Sequence, residues 1–352
     1  MVELVTGNLL AADAEALVNT VNCVGFMGKG IALQFKQAYP ENFDFYAKAC
    51  HVKEVRPGRM LVFVTGRVVN PKYIINFPTK RHWRGKSRVE DIEAGLNALV
   101  EEVRSRGIKS IGLPPLGCGN GGLNWRKVRP MIERALGQLA DVRVLLYEPK
   151  GAPDPKAMPV RTKPAEMTAA RALLIALMDR YAALDYPRSL LEIQKLAYFL
   201  QEAGEHLRLR YEAGHYGPYA SNLNKVLERI EGHFTRGYGD SQKPDTEVEL
   251  LPGALEKAHE FLQGHDESLR RLERVSRLIE GFETPYGMEL LSSVHWAAEH
   301  TEPPARDPDA ATRMIHGWNP RKKTMFNPKH ITVAWERLAG NGWLRGKGDS
   351  SI

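Results

Sequence analysis

The chain has 352 residues, 49 Lys and Arg against 42 Asp and Glu, and a formal net charge of +7. That length accommodates two domains of ordinary size, and no apolar run is long enough to span a membrane. The three cysteines, Cys23, Cys50 and Cys118, are odd in number and fall early in the chain. This fits a reducing cytoplasm rather than a disulfide framework, and no Cys/His cluster has metal-ligand spacing. The excess charge sits at one end: residues 1–155 carry 22 basic against 15 acidic side chains, and residues 156–352 carry 27 of each. A basic first part suits an anionic substrate such as nucleic acid, though a solvated basic surface has the same composition.

The chain opens as a strand at residues 3–6, not as a signal peptide. Further strands are expected at 16–21, 60–65, 73–77, 110–113 and 142–147. Helical periodicity marks 31–38, 88–106 and 125–139. Such alternation predicts an α/β layered domain with a mixed, partly parallel sheet, which binds ligands at the carboxyl ends of its strands.

Two Gly-rich loops fall at those ends. The first runs Asn19-Thr20-Val21-Asn22-Cys23-Val24-Gly25-Phe26-Met27-Gly28-Lys29-Gly30-Ile31-Ala32. The second runs Leu113-Pro114-Pro115-Leu116-Gly117-Cys118-Gly119-Asn120-Gly121-Gly122-Leu123. Glycine lets a backbone turn with positive φ and approach a ligand closely. Successive N–H groups in such turns, followed by a helix N-terminus, bind phosphate. Two of them on one domain predict a diphosphate ligand held between them.

A Pro-rich linker is expected at 151–164, and the chain after 165 reads as almost wholly helical. Helices are expected at 167–181, 189–209, 221–231, 255–263, 267–280, 285–300, 309–315 and 328–339. Residues 240–283 are acidic, 11 against 6 basic. That composition docks a basic partner, mimics nucleic acid, or is a solvated helix face. The stretch Trp318-Asn319-Pro320-Arg321-Lys322-Lys323 reads as a basic loop without an assignable role. Gln194, Lys195, Tyr198 and Phe199 lie at core spacing, and His215-Tyr216-Gly217-Pro218-Tyr219 reads as a structural turn.

The ordered segments Thr6-Gly7-Asn8-Leu9-Leu10, Val18-Asn19-Thr20-Val21-Asn22, Gly28-Lys29-Gly30 and Leu116-Gly117-Cys118-Gly119 resemble those of a macrodomain, the ADP-ribose-binding fold. The resemblance covers residues 1–148. Tyr73-Ile74-Ile75-Asn76-Phe77-Pro78-Thr79-Lys80-Arg81-His82-Trp83 is similar to the Thr-Lys segment of the branch that cleaves ADP-ribose adducts with a lysine. Two shorter motifs, Leu191-Glu192-Ile193-Gln194-Lys195-Leu196-Ala197-Tyr198-Phe199 and His215-Tyr216-Gly217-Pro218-Tyr219, resemble a helical toxin-neutralising domain. The combination resembles the antitoxin-type DNA ADP-ribosyl glycohydrolases. It implies a macrodomain at 1–150 with a mixed sheet in α/β/α layering, then a mostly α-helical toxin-binding domain at 165–352.

The resemblance implies that Lys80 is catalytic and that Asn22 contacts the ribose. Lys80 has two available chemistries: attack by the neutral amine through a Schiff base, or electrostatic stabilisation of the leaving base by the ammonium. Crowding by Arg81, His82, Arg84 and Lys86 would favour the neutral form; otherwise Lys80 is one cation among several on a phosphate backbone. Asn22 is alternatively a turn former that caps its own backbone. Asn8, Leu9, Thr20, Gly28, Lys29, Gly30, Ile31, Thr79, Leu116, Gly117, Cys118, Gly119, Asn120 and Gly121 are implied to line ADP-ribose. Asn8 stands where many macrodomains have Asp, and accepts a hydrogen bond more weakly. Gly121 stands where some lysine-dependent relatives carry a catalytic aspartate, so no carboxylate assists from that position. Cys118 has no His–Asp partner at a suggestive spacing and reads as a packing residue.

Arg81, Trp83 and Arg84, with Lys86 and Arg88, form a basic stretch around an aromatic. That suits single-stranded nucleic acid, or a solvated loop with one buried indole. The implied partners are ADP-ribosylated DNA, with thymidine as the modified nucleoside, and a cognate ADP-ribosyltransferase toxin; neither a cofactor nor a membrane is implied. Two rival readings stand beside this one: a non-catalytic ADP-ribose-binding module, and a hydrolase of protein or small-molecule adducts.

Overall fold

A computed structural model describes residues 2–149, 158–182, 188–239 and 244–344. The chain divides into two compact units, the first running to Lys163 and also including Gly239, the second beginning at Pro164. The first unit is organised on a six-stranded sheet of β1 (Val2–Val5), β2 (Ala16–Asn22), β3 (Leu61–Val64), β4 (Tyr73–Lys80), β5 (Ser110–Leu113) and β6 (Arg143–Tyr147). The spatial order is β1-β6-β5-β2-β4-β3, and every neighbour is parallel except the β3–β4 pair. Helices α1 (Gly30–Ala38), α2 (Pro40–His51), α3 (Val89–Ser105) and α4 (Trp125–Gly137) complete the layers.

Alternate residues on each central strand bury on opposite faces. Ala16, Val18, Ile75, Phe77, Ile111, Leu113, Val144 and Leu146 pack with Ile92, Leu96 and Leu99 of α3 and Val128 and Ile132 of α4. Leu17, Ile74 and Leu145 face the other way, onto Phe35 and Ala38 of α1. Both faces are covered, which is why these strands read as nearly continuous apolar runs. The expected mixed sheet between helical layers is what forms.

Two elements here differ from expectation. Helix α2 lacks an unbroken apolar stripe because its buried face includes Asn42 and Tyr46, whose polar groups are hydrogen-bonded. Strand β4 runs three residues past Phe77 to Lys80. Pro78 is tolerated there because β3 pairs no further than Asn76, so its missing N–H leaves no ladder bond unmade on that side. Residues 150–157 of the expected boundary region lie outside the described residues. Farther along, Arg161 N donates to the Gln37 carbonyl at 2.8 Å, which joins that end of the expected linker to the first unit.

The second unit is mostly helical: α5 (Ala169–Ala182), α6 (Leu190–Glu202), α7 (Leu223–Ile230), α8 (Ala254–Leu262), α9 (Asp266–Ile279), α10 (Pro285–Glu299), α11 (Pro308–Trp318), α12 (Pro320–Met325) and α13 (Pro328–Gly340). Two antiparallel pairs accompany them, β7 (Tyr211–Gly214) with β8 (Gly217–Ala220) and β9 (Thr235–Arg236) with β10 (Glu249–Leu250). The helix expected at 189–209 stops at Glu202, where Gly204 takes φ +99 and turns the chain. Residues 215–219, expected as a turn, form the hairpin bend and most of β8. Residues 320–323, expected in a loop, start α12, capped by Asn319 Oδ1 accepting from Lys322 N at 2.9 Å.

Helix α6 is buried along its length, as the core spacing of Gln194, Lys195, Tyr198 and Phe199 predicts. The Gln194 amide pairs with both backbone groups of Ala220, and Lys195 Nζ donates to the Pro218 carbonyl at 2.7 Å. Gln194 and Lys195 thus hold β8 in place. No helix among the described residues is long and apolar enough to cross a membrane.

Candidate active site

Strands β2, β4 and β5 are parallel neighbours, so the loops after them leave the same edge of the sheet. Lys80 ends β4 in register with Asn22 at the end of β2. Cys23 Sγ donates to the Lys80 carbonyl at 3.3 Å and ties the first Gly-rich loop to that lysine's backbone.

The second Gly-rich loop folds back on itself. Leu123 N donates to Gly117 O at 3.0 Å, Gly122 N to Gly119 O at 3.0 Å, and Ser87 N reaches across to Gly121 O at 3.0 Å. Gly117 has φ +69, and a Cβ there would press on Leu123 and Ser87. Among the described residues, the N–H groups of Gly119, Asn120 and Gly121 have no protein acceptor. Consecutive free donors of this kind form an anion-binding concavity. Opposite lies the start of α1, where Lys29 is the N-cap residue and makes no side-chain cap. Gly30 N donates to the Gly239 carbonyl at 2.6 Å, while among the described residues the N–H groups of Ile31 and Ala32 have no protein acceptor at the positive end of the helix dipole. A Cβ on Gly30 would lie 3.2 Å from Asn120 Nδ2, so the two loops approach within side-chain reach of each other.

Lys80 enters this junction, with Nζ donating to the Asn120 carbonyl. Burial lowers the Lys80 pKa below its ordinary value of 10.5. Lys29 is lowered too, by burial and then by the charge of Lys80. The expected cause, crowding by Arg81 and its neighbours, is not what acts. Arg81 is engaged bidentately by Asp91 of α3, at 3.0 and 3.3 Å. Burial also raises the thiols of Cys23 and Cys118 to about 11. Cys118 Sγ faces the Leu116 carbonyl at 3.4 Å, in keeping with its reading as a packing residue.

Several of the residues implied to line ADP-ribose do other work with their side chains. Leu9 and Leu116 bury their side chains in the core. Asn8 Oδ1 caps the following 3-10 turn by accepting from Leu10 N at 2.9 Å. Asn22 Oδ1 accepts from Val24 N at 2.9 Å and from the Tyr46 hydroxyl at 3.1 Å, while Nδ2 donates to Phe26 O at 2.5 Å. Its amide therefore shapes its own loop. Thr79 is buried, with its hydroxyl 3.5 Å from Val21 O. Thr20 and Ile31 are half-buried, Ile31 packing against the α1 core cluster. Gly28, Lys29, Gly30, Gly117, Gly119, Asn120, Gly121 and Lys80 are the implied residues that the two cradles bring together.

Four features escaped the sequence. A buried amide network joins Asn19 to Asn76 at 3.0 Å and Asn76 to Asn42 at 2.7 Å, locking β2, β4 and α2 beneath the first loop. Phe26 is exposed beside Trp83, their ring centroids 5.7 Å apart. Lys322, read as part of a basic loop, is buried and donates to Glu289 Oε1 at 2.8 Å and Ser293 Oγ at 2.9 Å. Glu202, His295 and His300 bring potential metal-ligand atoms together. They are satisfied by protein: His295 Nδ1 pairs with the Tyr198 hydroxyl at 2.7 Å, and His300 with Glu202 at 3.1 Å.

A macro domain family model matches residues 18–132. The chain is 48% identical over 348 residues to a DNA ADP-ribosyl glycohydrolase of Thermus aquaticus, covering 98% of this chain and 95% of that protein. It is 34% identical over 173 residues to a DNA ADP-ribosyl transferase-DNA ADP-ribosyl glycohydrolase fusion protein of Thermosipho africanus, 44% of each chain. The solved macrodomain of Mycobacterium tuberculosis DarG is 54% identical and covers 43% of this chain and 99% of its own, with a TM-score of 0.42. The near full-length likeness to the Thermus aquaticus enzyme, over a first unit that matches the macro domain, shows that this chain belongs to the DNA ADP-ribosyl glycohydrolase family of enzymes.

Proposed function

We propose that the first unit removes ADP-ribose from ADP-ribosylated, single-stranded DNA and that Lys80 carries the reaction. The observation that supports this most is the position of Lys80 Nζ against the Asn120 carbonyl, where the two anion cradles meet. The diphosphate of ADP-ribose lies between the Gly119–Gly121 amides and the α1 N-terminus, which sets the distal ribose beside Lys80. Gly30, Gly28 and Gly117 let backbone approach the phosphates; Asn8, Leu9, Thr20, Ile31, Thr79, Leu116 and Cys118 build the walls.

Burial of Lys80 favours the free amine and so the nucleophilic route. The amine attacks the anomeric carbon as the bond to the base breaks, and the base takes up the proton that the attacking nitrogen loses. The resulting Lys–ribose adduct opens to a Schiff base, which water hydrolyses to ADP-ribose and free lysine. Asn22 acts by fixing the loop that faces the ribose. Trp83 and Arg84 meet the strand, and Arg81 holds their loop through Asp91. The thymidine adduct is the substrate implied by the family resemblance.

The second unit, in the same reading, binds and blocks a cognate DNA ADP-ribosyltransferase toxin in the cytoplasm. The Thermosipho africanus fusion protein, named for both a transferase and a glycohydrolase, supports such a partner. Release of ADP-ribose from a modified single-stranded oligonucleotide tests the first activity. Co-purification with the transferase and loss of its activity in the complex test the second. Release from protein adducts but not from DNA would replace the DNA reading.

A further inference from the structure

Phe26 carries one of the more exposed aromatic rings of the first unit, 46% accessible, on a loop whose neighbour Val24 is 43% accessible. It belongs to a group. The Trp83 ring, 37% accessible, is tilted 33° to it at 5.7 Å. His82 stacks on Trp83 at 5.4 Å, and the Arg84 guanidinium lies 4.5 Å over the indole. Trp83 thus has Phe26, His82 and Arg84 about it, and Phe26 is the more exposed of the two rings.

Both loops are braced. Phe26 is held through its backbone by the Asn22 amide, which accepts from Phe26 N at 3.4 Å and donates to Phe26 O at 2.5 Å. The Trp83 loop is closed by Gly85 N donating to His82 O at 3.0 Å, and anchored at its root by Arg81 on Asp91. Exposed apolar rings that are grouped and rimmed by polar residues mark interaction sites. The root of this group is the active site, since Asn22 pairs in register with Lys80. Its surroundings are cationic, with Arg84, Lys86 and Arg88 on the same stretch.

Flat apolar rings edged by cations match one chemistry closely: a nucleobase, whose face stacks while its phosphates meet arginine and lysine. A duplex hides that face, so the base must be unpaired. We infer that Phe26, backed by Trp83, is a stacking platform for the unpaired base flanking the modified nucleotide in single-stranded DNA. Asn22 is its positioning residue. The inference rests on the DNA reading for the identity of the strand, and on the ring geometry for the rest.

Binding of a short labelled, unmodified single-stranded DNA and of its duplex, followed by fluorescence anisotropy on the full chain, tests it independently of hydrolysis. The wild type is expected to prefer the single strand. Phe26→Ala should weaken that binding about tenfold, the size of one lost base–aromatic stack, and leave duplex binding unchanged. Phe26→Tyr should restore it, and Lys80→Ala should keep the preference for single strand. Equal single-strand affinity in wild type and Phe26→Ala overturns the platform, as does parallel loss of single-strand and duplex binding. Absence of ADP-ribose release by a wild type that binds in the expected way would instead remove the hydrolase reading and leave the platform standing.

Discussion

Ser87 occupies the place that a side chain on Gly121 would need. A Cβ added to Gly121 would lie 2.3 Å from the Ser87 hydroxyl oxygen and 2.2 Å from the Gly117 carbonyl oxygen. Loop packing thus leaves no room for a side chain at the position where the family resemblance implies an acid in some relatives. Gly121→Asp is expected to open the loop and lower ADP-ribose affinity at least tenfold by calorimetry. Retained affinity with faster release would show that the position can take an acid after all.

Lys80 titrates below an ordinary lysine because burial penalises its charge. If the free amine is the nucleophile, the rate of release rises with pH and levels off at a midpoint below 10.5. If the ammonium acts, the rate falls across the same range. A pH–rate profile under single-turnover conditions separates the two, and borohydride should trap a covalent lysine adduct only in the first case.

Tyr46 fastens the first loop from below, its buried hydroxyl 2.8 Å from the Asn22 carbonyl and 3.1 Å from Asn22 Oδ1. Tyr46→Phe leaves those acceptors a donor short at a cost of about 1–2 kcal/mol. The expected outcome is a melting temperature lower by a few degrees, together with weaker ADP-ribose binding. An unchanged melt would mean that the loop finds another donor.

Much of the first unit was legible because its central strands are apolar nearly throughout and the two loops at their carboxyl ends are spelled in glycine. Lys80 stood out through the Thr79-Lys80 segment rather than through any spacing rule. What stayed hidden depends on partners distant in sequence. Asn19 and Asn76 are 57 residues apart, and Asn42 and Asn76 are 34 apart, yet together they lock the floor of the site. Asp91, on the far side of the basic loop, turns Arg81 from a free cation into an anchor. The α2 helix was missed because Asn42 and Tyr46 interrupt its apolar face, and α12 because its basic residues suggest solvent, whereas Lys322 points inward to Glu289.

That buried pair carries a stability prediction for the second unit. Glu289, almost fully buried, receives both Lys322 at 2.8 Å and Arg321 at 2.7 Å. Glu289→Ala strands the buried Lys322 ammonium and is expected to cost about 3–5 kcal/mol. Chemical denaturation of that variant beside the double variant Glu289→Leu, Lys322→Met checks it. The double variant should recover most of the loss, and failure to do so would place the effect in packing rather than charge.

ADP-ribose release from an ADP-ribosylated single-stranded oligonucleotide, followed for wild type and Lys80→Ala while calorimetry reports ADP-ribose binding, decides whether Lys80 carries the reaction. Release by the wild type, and its loss in a variant that still binds ADP-ribose, is the expected result. Equal release by both proteins would contradict the assignment of the chemistry to Lys80.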